Sequence, residues 1–250
     1  MEYISVTQAR TRKALRLVLC AGTPGVWGEA IKAVLAYKHI DYLPVLQEVG
    51  GDNDDLREWT GQTSAPVIVD AEDRLHISWE SMLLLAEDLV PDEPLIPRDP
   101  VERVLHFGLL REIAGERGVG WNRRLQSIAL SGGPGANPVL QRLGDKYGYS
   151  EAAVLASEAR TVEILELLSA RLHDHSPYFF GEQLTALDFY AAIFLGVMID
   201  PLPHELIPMP KGMRLGFSHT PAAIARAYDE RLRGHRDLMF ERHIATPLDF

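Results

Sequence analysis

Several short stretches of the chain carry residues whose types and spacing could do chemistry. In Cys20-Ala21-Gly22-Thr23-Pro24 a hydroxyl follows an apolar run. Thr23 can donate one hydrogen bond from a loop, or serve with Pro24 as the N-cap and first residue of a helix. Ser64-Ala65-Pro66 stands directly ahead of the β-branched run Val67-Ile68-Val69, and a proline is tolerated at a strand's first residue. Just upstream, Gln62 offers an amide from the loop Trp59-Thr60-Gly61-Gln62. Glu80-Ser81 precedes the leucine-rich stretch Met82 to Val90. The N–H groups and dipole of a helix start there suit a carboxylate, while capping by Ser78 or Ser81 accounts for the same residues. Cys20 is the one cysteine, so no disulfide within the chain and no Cys-x-x-Cys motif can form; inside an apolar strand it reads as packing.

Other matches carry no chemistry. His235-Arg236-Asp237 imitates a kinase catalytic loop, but Arg242 occupies the position that needs asparagine. His173-Asp174-His175 lacks a third ligand of defined spacing and suits a helix C-terminus. Gly132-Gly133-Pro134-Gly135 is not followed by Gly-Lys-Ser/Thr and is no phosphate loop. Phe107 and Trp121 fit core packing, with an acceptor pocket as the other reading.

The elements that must position these residues alternate in type over the first half. Leu15 to Cys20 reads as a buried strand, and Trp27 to His39 as a helix with its apolar stripe at Trp27, Ala30, Ile31, Val34 and Leu35. Tyr42 to Leu46 reads as a strand, Gly50 to Asp55 as a loop and Leu56 to Trp59 as a helical turn. Pro66 to Asp70 with Leu75 to Ile77 form a hairpin, and a helix follows over Ser81 to Val90. This is a βαβ–ββα order in one α/β layer. Prolines 91, 94, 97 and 100 then mark a linker. Beyond it the signals are helical: Val101 to Ala114; Glu151 to His173, with a stripe through Leu155, Ala159, Val162, Leu165, Leu168 and Leu172; Phe189 to Met198, apolar nearly all round and hence central; and Pro221 to His243. Gly132 to Pro138 reads as a loop and Pro201 to Pro210 as an extended proline-rich segment. The expected organisation is an α/β domain over 1–92 (1–13 a flexible start), a linker over 93–100 and an all-helical domain over 101–250.

The net charge of -10 is uneven: residues 1–97 hold 8 basic and 16 acidic side chains. That argues against a nucleic-acid surface in the first half, and no run of about 18 apolar residues marks a membrane span. No secretory leader is read at the start, and a cytoplasmic location is expected.

An α/β half, a proline-rich linker and an all-helical half together resemble the cytosolic glutathione transferases over nearly the whole chain. The resemblance implies a thioredoxin-like α/β domain followed by a helical bundle. It implies that Pro66 is cis, that the backbone of Ala65 pairs with the cysteinyl backbone of glutathione as an added strand does, and that Gln62 contacts its glycyl end. Ser81 holds the γ-glutamyl carboxylate and Glu80 helps orient that end. Gly181 with Thr185-Ala186-Leu187-Asp188 resembles the family's capping box at the start of its central helix, a structural motif. Family enzymes stabilise the glutathione thiolate with a tyrosine, serine or cysteine after the first strand. Thr23 stands at that place, so it is the expected thiol activator, and mixed-disulfide chemistry is excluded there.

The activity implied is transfer of the thiol of glutathione, the co-substrate, to a small hydrophobic electrophile held against the helical half, as in detoxification. A homodimer is expected, with no metal, nucleic acid or membrane partner. The other reading is a glutathione-binding or scaffold protein of the same fold that has lost catalysis, motivated by the departure at Thr23.

Overall fold

The computed structural model describes residues 1–172 and 176–250, so the His173-Asp174-His175 cluster lies outside the described residues. The chain divides into two compact units, Met1–Pro94 with Ala245–Phe250, and Leu95–Ile244.

The first unit contains α1 (Val6–Ala9), β1 (Arg16–Cys20), α2 (Val26–Tyr37), β2 (Leu43–Gln47), α3 (Asp54–Thr60), β3 (Val67–Val69), β4 (Leu75–His76) and α4 (Trp79–Leu89). Its sheet runs in the order β2-β1-β3-β4. β1 is parallel to β2 and antiparallel to β3, and β3 is antiparallel to β4. β1 is apolar without alternation because both of its faces are covered. Val18, Val45, Val67 and Val69 pack with Val6 and Ala9 of α1 and Leu56 of α3. Leu19 points the other way, towards α2, where a Cβ on Gly28 would come within 2.9 Å of it. Only glycine lets the helix lie this close to the strand.

Residues 1–13, expected to be a flexible start, are built into this unit. Ile4 bridges Val45, and α1 opens with a capping box in which Ser5 Oγ accepts from the Gln8 N–H and Gln8 Oε1 from the Ser5 N–H. The fully buried Arg16 anchors α1: its guanidinium donates to the carbonyls of Ala9, Arg12, Val69 and Asp70 and to Asp73 Oδ1. A buried charge is tolerated when each of its donors finds an acceptor.

The second unit is helical: α5 (Pro100–Ala114), α6 (Val119–Leu130), α7 (Pro138–Tyr147), α8 (Glu151–Arg171), α9 (Ala186–Met198), α10 (Lys211–Ser218), α11 (Ala222–Ala227) and α12 (Glu230–Arg242). Every residue of α9 is buried, and α5, α6 and α12 pack around it. Its entry is the expected capping box: Asp188 Oδ2 accepts from the Thr185 N–H and hydroxyl, each at 2.8 Å. The same carboxylate accepts from the Phe179 N–H at 3.0 Å and pairs with His235 Nε2 at 2.9 Å. His235, Arg236 and Asp237 are therefore structural, and Arg236 pairs with Asp200.

Three helices, α6, α7 and α10, lie where no element was read. The expected helix over Pro221 to His243 is two, because Asp229 accepts from the N–H groups of Arg231 and Leu232 and starts α12 afresh. The stripe read along α8 is shifted: Leu155 is 80% exposed, while Ser157, Thr161, Ile164, Leu165 and Leu168 are buried.

His106 on α5 is fully buried between Phe107 and Phe180, with neither ring nitrogen hydrogen-bonded. Burial pulls its pKa down from 6.5 to about 4. The folded state thus keeps the ring neutral, while the unfolded chain takes up a proton as pH falls below 6.5. The group's stability contribution, about 3 kcal/mol at most, is intact above pH 6.5 and is lost progressively towards pH 4. His106→Leu should flatten the stability profile between pH 6.5 and 4 in chemical denaturation; an unchanged slope would contradict this assignment.

Candidate functional site

Strand register brings the singled-out residues of the first unit to one end of its sheet. β1 and β2 finish together, with Cys20 opposite Gln47. β3 runs against β1, with Val18 opposite Val67; continued two residues, that register sets Ala65 beside Cys20. β4 runs against β3, with Ile68 opposite His76, so the chain leaves β4 at the same end and enters α4 there. The loop bearing Thr23, the turn bearing Ala65 and Pro66, and the start of α4 with Glu80 and Ser81 share this end.

The Ala65–Pro66 bond is cis. Pairing of β3 with β1 stops at Val67, and the N–H and C=O of Ala65 make no backbone hydrogen bond among the described residues. Its methyl packs against the cluster around Val18, Val67 and Leu56. Side chain inward and peptide groups unpaired, Ala65 presents a short strand edge that an extended ligand backbone can complete.

Gln62 stands half-buried at the head of this turn, its N–H donating to Thr60 Oγ1 at 3.2 Å. The residue that ties the turn to the sheet is one the sequence reading passed over. Gln47, 6% exposed at the end of β2, donates through Nε2 to the carbonyls of Thr63 at 3.2 Å and Glu48 at 3.0 Å. A polar side chain closing an apolar strand was its signal.

Glu80 and Ser81 lie inside α4, not ahead of it, which corrects the expected boundary. Ser78 is the N-cap: its Oγ accepts from the Ser81 N–H at 3.2 Å, and Ser81 Oγ returns to the Ser78 backbone. Both Ser81 groups thus serve the capping box. The first-turn N–H groups and the half-buried Glu80 still put an anion-attracting helix end and a carboxylate together.

Thr23 does not cap α2. Gly25 is the N-cap, and Thr23 receives the Gly25 N–H on its carbonyl at 2.9 Å. Pro24 is buried rather than the first helical residue. Thr23 is half-buried, and its hydroxyl makes no hydrogen bond among the described residues. Behind it the N–H groups of Val26, Trp27 and Gly28 begin α2 without intrahelical acceptors. Cys20 is the last residue of β1 and half-buried, more open than expected; a Cβ on Gly25 would meet its Sγ at 3.2 Å.

The flank of α2 is polar and enclosed. Glu29, 4% exposed, pairs with Lys32 at 2.9 Å, and burial raises its pKa. Burial and the Glu29 charge push Tyr42 up to about 12. Among the described residues no cluster of His, Cys, Asp and Glu could hold a metal ion. No helix there is long and apolar enough to cross a membrane.

Comparison with solved structures gives the fold its name. The chain is similar to a glutathione S-transferase from Methylobacillus flagellatus with glutathione bound (TM-score 0.65, 14% identity, 92% of this chain and 96% of that one). It is also similar to a glutathione transferase family member from Pseudomonas fluorescens with two glutathione bound (TM-score 0.66, 13% identity, 95% and 94%) and to glutathione transferase Omega 3C from Trametes versicolor (TM-score 0.61, 15% identity, 98% and 90%). No protein-family model and no curated protein matches the sequence. The chain has the glutathione transferase fold, a thioredoxin-like unit and a helical one.

Replacing Gln47 by leucine removes the bond to the Thr63 carbonyl that holds the 61–66 turn, together with the bond to the Glu48 carbonyl. The expected result is a loss of about 1–2 kcal/mol in unfolding free energy with faster amide hydrogen exchange at Thr63 to Ala65 and unchanged protection in β1. Unaltered exchange in the turn would show that Gln47 does not secure it.

Proposed function

We propose that the chain binds glutathione at this end of the sheet and transfers its thiol to a small hydrophobic electrophile. The observation that carries this reading is Ala65, whose backbone N–H and C=O stand unpaired beside the cis Pro66. A peptide-like ligand in extended form meets that edge with two hydrogen bonds: the Ala65 N–H donates to the cysteinyl carbonyl, and the Ala65 carbonyl accepts the cysteinyl N–H. Gln62 faces the glycyl end. Ser81 and Glu80 take the γ-glutamyl end, where the helix dipole favours the carboxylate and the acidic side chain the ammonium. The Ser81 N–H and hydroxyl are then shared between the capping box and the ligand.

At the sulfur, Thr23 is the donor. Its hydroxyl has no other hydrogen-bond partner among the described residues, and the first N–H groups of α2 follow it. One hydrogen bond to the thiolate lowers the thiol pKa from about 8.5 and enlarges the reactive fraction at neutral pH. The thiolate attacks the electrophilic carbon and a C–S bond forms; in a substitution the bond to the leaving group breaks and that group departs as an anion with the bonding pair, and in an addition the displaced π pair takes a proton from water.

A homodimer fits the apolar side chains each unit leaves in water: Leu75 on β4, Ile77 just after it, Leu84 and Leu89 on α4, and Val101, Val104 and Leu105 in a helical i, i+3, i+4 row on α5. Light scattering at twice the 27.9 kDa chain mass checks it. The lone cysteine, unable to form an internal disulfide, supports a reducing, cytoplasmic setting and a detoxifying role there.

Calorimetry should give glutathione binding at or below millimolar concentration, with turnover of an aryl halide. Thr23→Ala should lower kcat roughly 10–100-fold with little change in glutathione affinity. Binding with no turnover over a broad electrophile panel, indifferent to Thr23→Ala, assigns the chain to the non-catalytic reading; no binding at millimolar glutathione rejects both.

A further inference from the structure

The helical unit holds an open cavity of about 380 Å³ that shares no residue with the candidate site. Its walls are Gln126, Ala129 and Leu130 of α6, Val154, Leu155 and Glu158 of α8, and Gly216, His219 and Pro221 at the corner between α10 and α11. The volume falls within the range of small-molecule sites.

The cavity is built rather than incidental. Arg123, 1% exposed, donates to the carbonyls of Met198 at 2.8 Å, Phe217 at 3.0 Å and His219 at 3.4 Å. Its remaining arm donates to Gln126 Oε1, and Gln126 Nε2 donates to Ser157 Oγ at 3.0 Å. One buried guanidinium thus fixes the α10–α11 corner, α6 and, through Gln126, α8. A cavity whose walls are already in place loses little ordering entropy when it is filled.

Its lining is amphipathic. Leu130 and Leu155 are 49% and 80% exposed, an apolar surface left to water beside Val154 and Pro221. The lining residues that ionise are Glu158 and His219. Glu158 has no ion pair or hydrogen bond among the described residues, whereas Arg160, two residues on, is paired with Glu112 and Glu163. Gln126 is held by Arg123 and Ser157, so the carboxylate is the charged group left for a ligand.

We propose that this cavity binds a small amphipathic amine, its hydrocarbon body on Leu130, Val154, Leu155 and Pro221 and its ammonium paired with Glu158. Apolar burial supplies the attraction and the carboxylate selects the sign of the head group. A carboxylate ligand of the same shape meets Glu158 as a like charge.

Calorimetry on the full chain at low salt, with 4-phenylbutylamine, 4-phenylbutanol and 4-phenylbutanoate, tests this. The amine should bind about tenfold more tightly than the carboxylate. Glu158→Gln, an exposed surface change, should reduce that ratio to within about threefold and leave the alcohol unaffected. Ala129→Phe, which fills the groove from the helix surface, should weaken the amine and the alcohol at least tenfold with no change in the thermal midpoint. The proposal is overturned by equal binding of amine and carboxylate, by a preference that survives Glu158→Gln, or by displacement of the amine with an S-alkyl glutathione. A change in oligomer mass caused by Ala129→Phe gives the groove to a second copy and overturns it equally.

Discussion

Proline has no N–H to give a β ladder, and the third strand of the first unit is preceded by one. Because Pro66 cannot extend the pairing of β3 with β1, the ladder ends at Val67 and the peptide groups of Ala65 are left without backbone partners among the described residues. Everything else at this end of the sheet keeps that edge in place. Gln47 ties the turn to β2, the Ala65 methyl sits against the apolar cluster, and Ser78 starts α4 next to it. The candidate site is what remains when the ordinary requirement to pair every backbone group is suspended at one residue.

The helical unit is organised instead around two buried charged side chains. Asp188, fully buried, gathers Thr185, Phe179 and His235 at the head of α9. Arg123, also buried, does the same for three carbonyls and the Gln126 amide, tying α6 to the far end of α9 and to the α10–α11 corner. Such centres cost desolvation but specify one arrangement of helices, since every partner is fixed in direction. His106 stands apart, buried with neither nitrogen bonded, and so its cost appears as sensitivity to acid.

What could be read from the sequence follows from the range of the forces involved. The α9 box was legible because Thr185 to Asp188 and the apolar run behind them are contiguous. The turn at Ser64 to Pro66 was legible for the same reason. By contrast α6 buries Asn122 and Arg123, so no apolar stripe marks it, and α7 buries only Gly144 and Tyr147. α10 starts directly after Pro210, where proline density reads as extended chain. Arg16, inside the strand read over Leu15 to Cys20, had no role assigned and is its buried anchor, because its acceptors come from Ala9, Val69 and Asp70. Gln47 was missed likewise, since Thr63 lies sixteen residues away. Thr23 looked like a cap, but the chain enters α2 through Gly25, leaving the hydroxyl for another role.

The central claim is that the unpaired Ala65 backbone and the start of α4 form the glutathione site. A crystal structure of the protein soaked in glutathione tests it most directly. The account predicts the cysteinyl backbone hydrogen-bonded to both peptide groups of Ala65 and the γ-glutamyl carboxylate on the N–H and hydroxyl of Ser81. Glutathione bound elsewhere, or an Ala65 edge left bare at saturating glutathione, would contradict it.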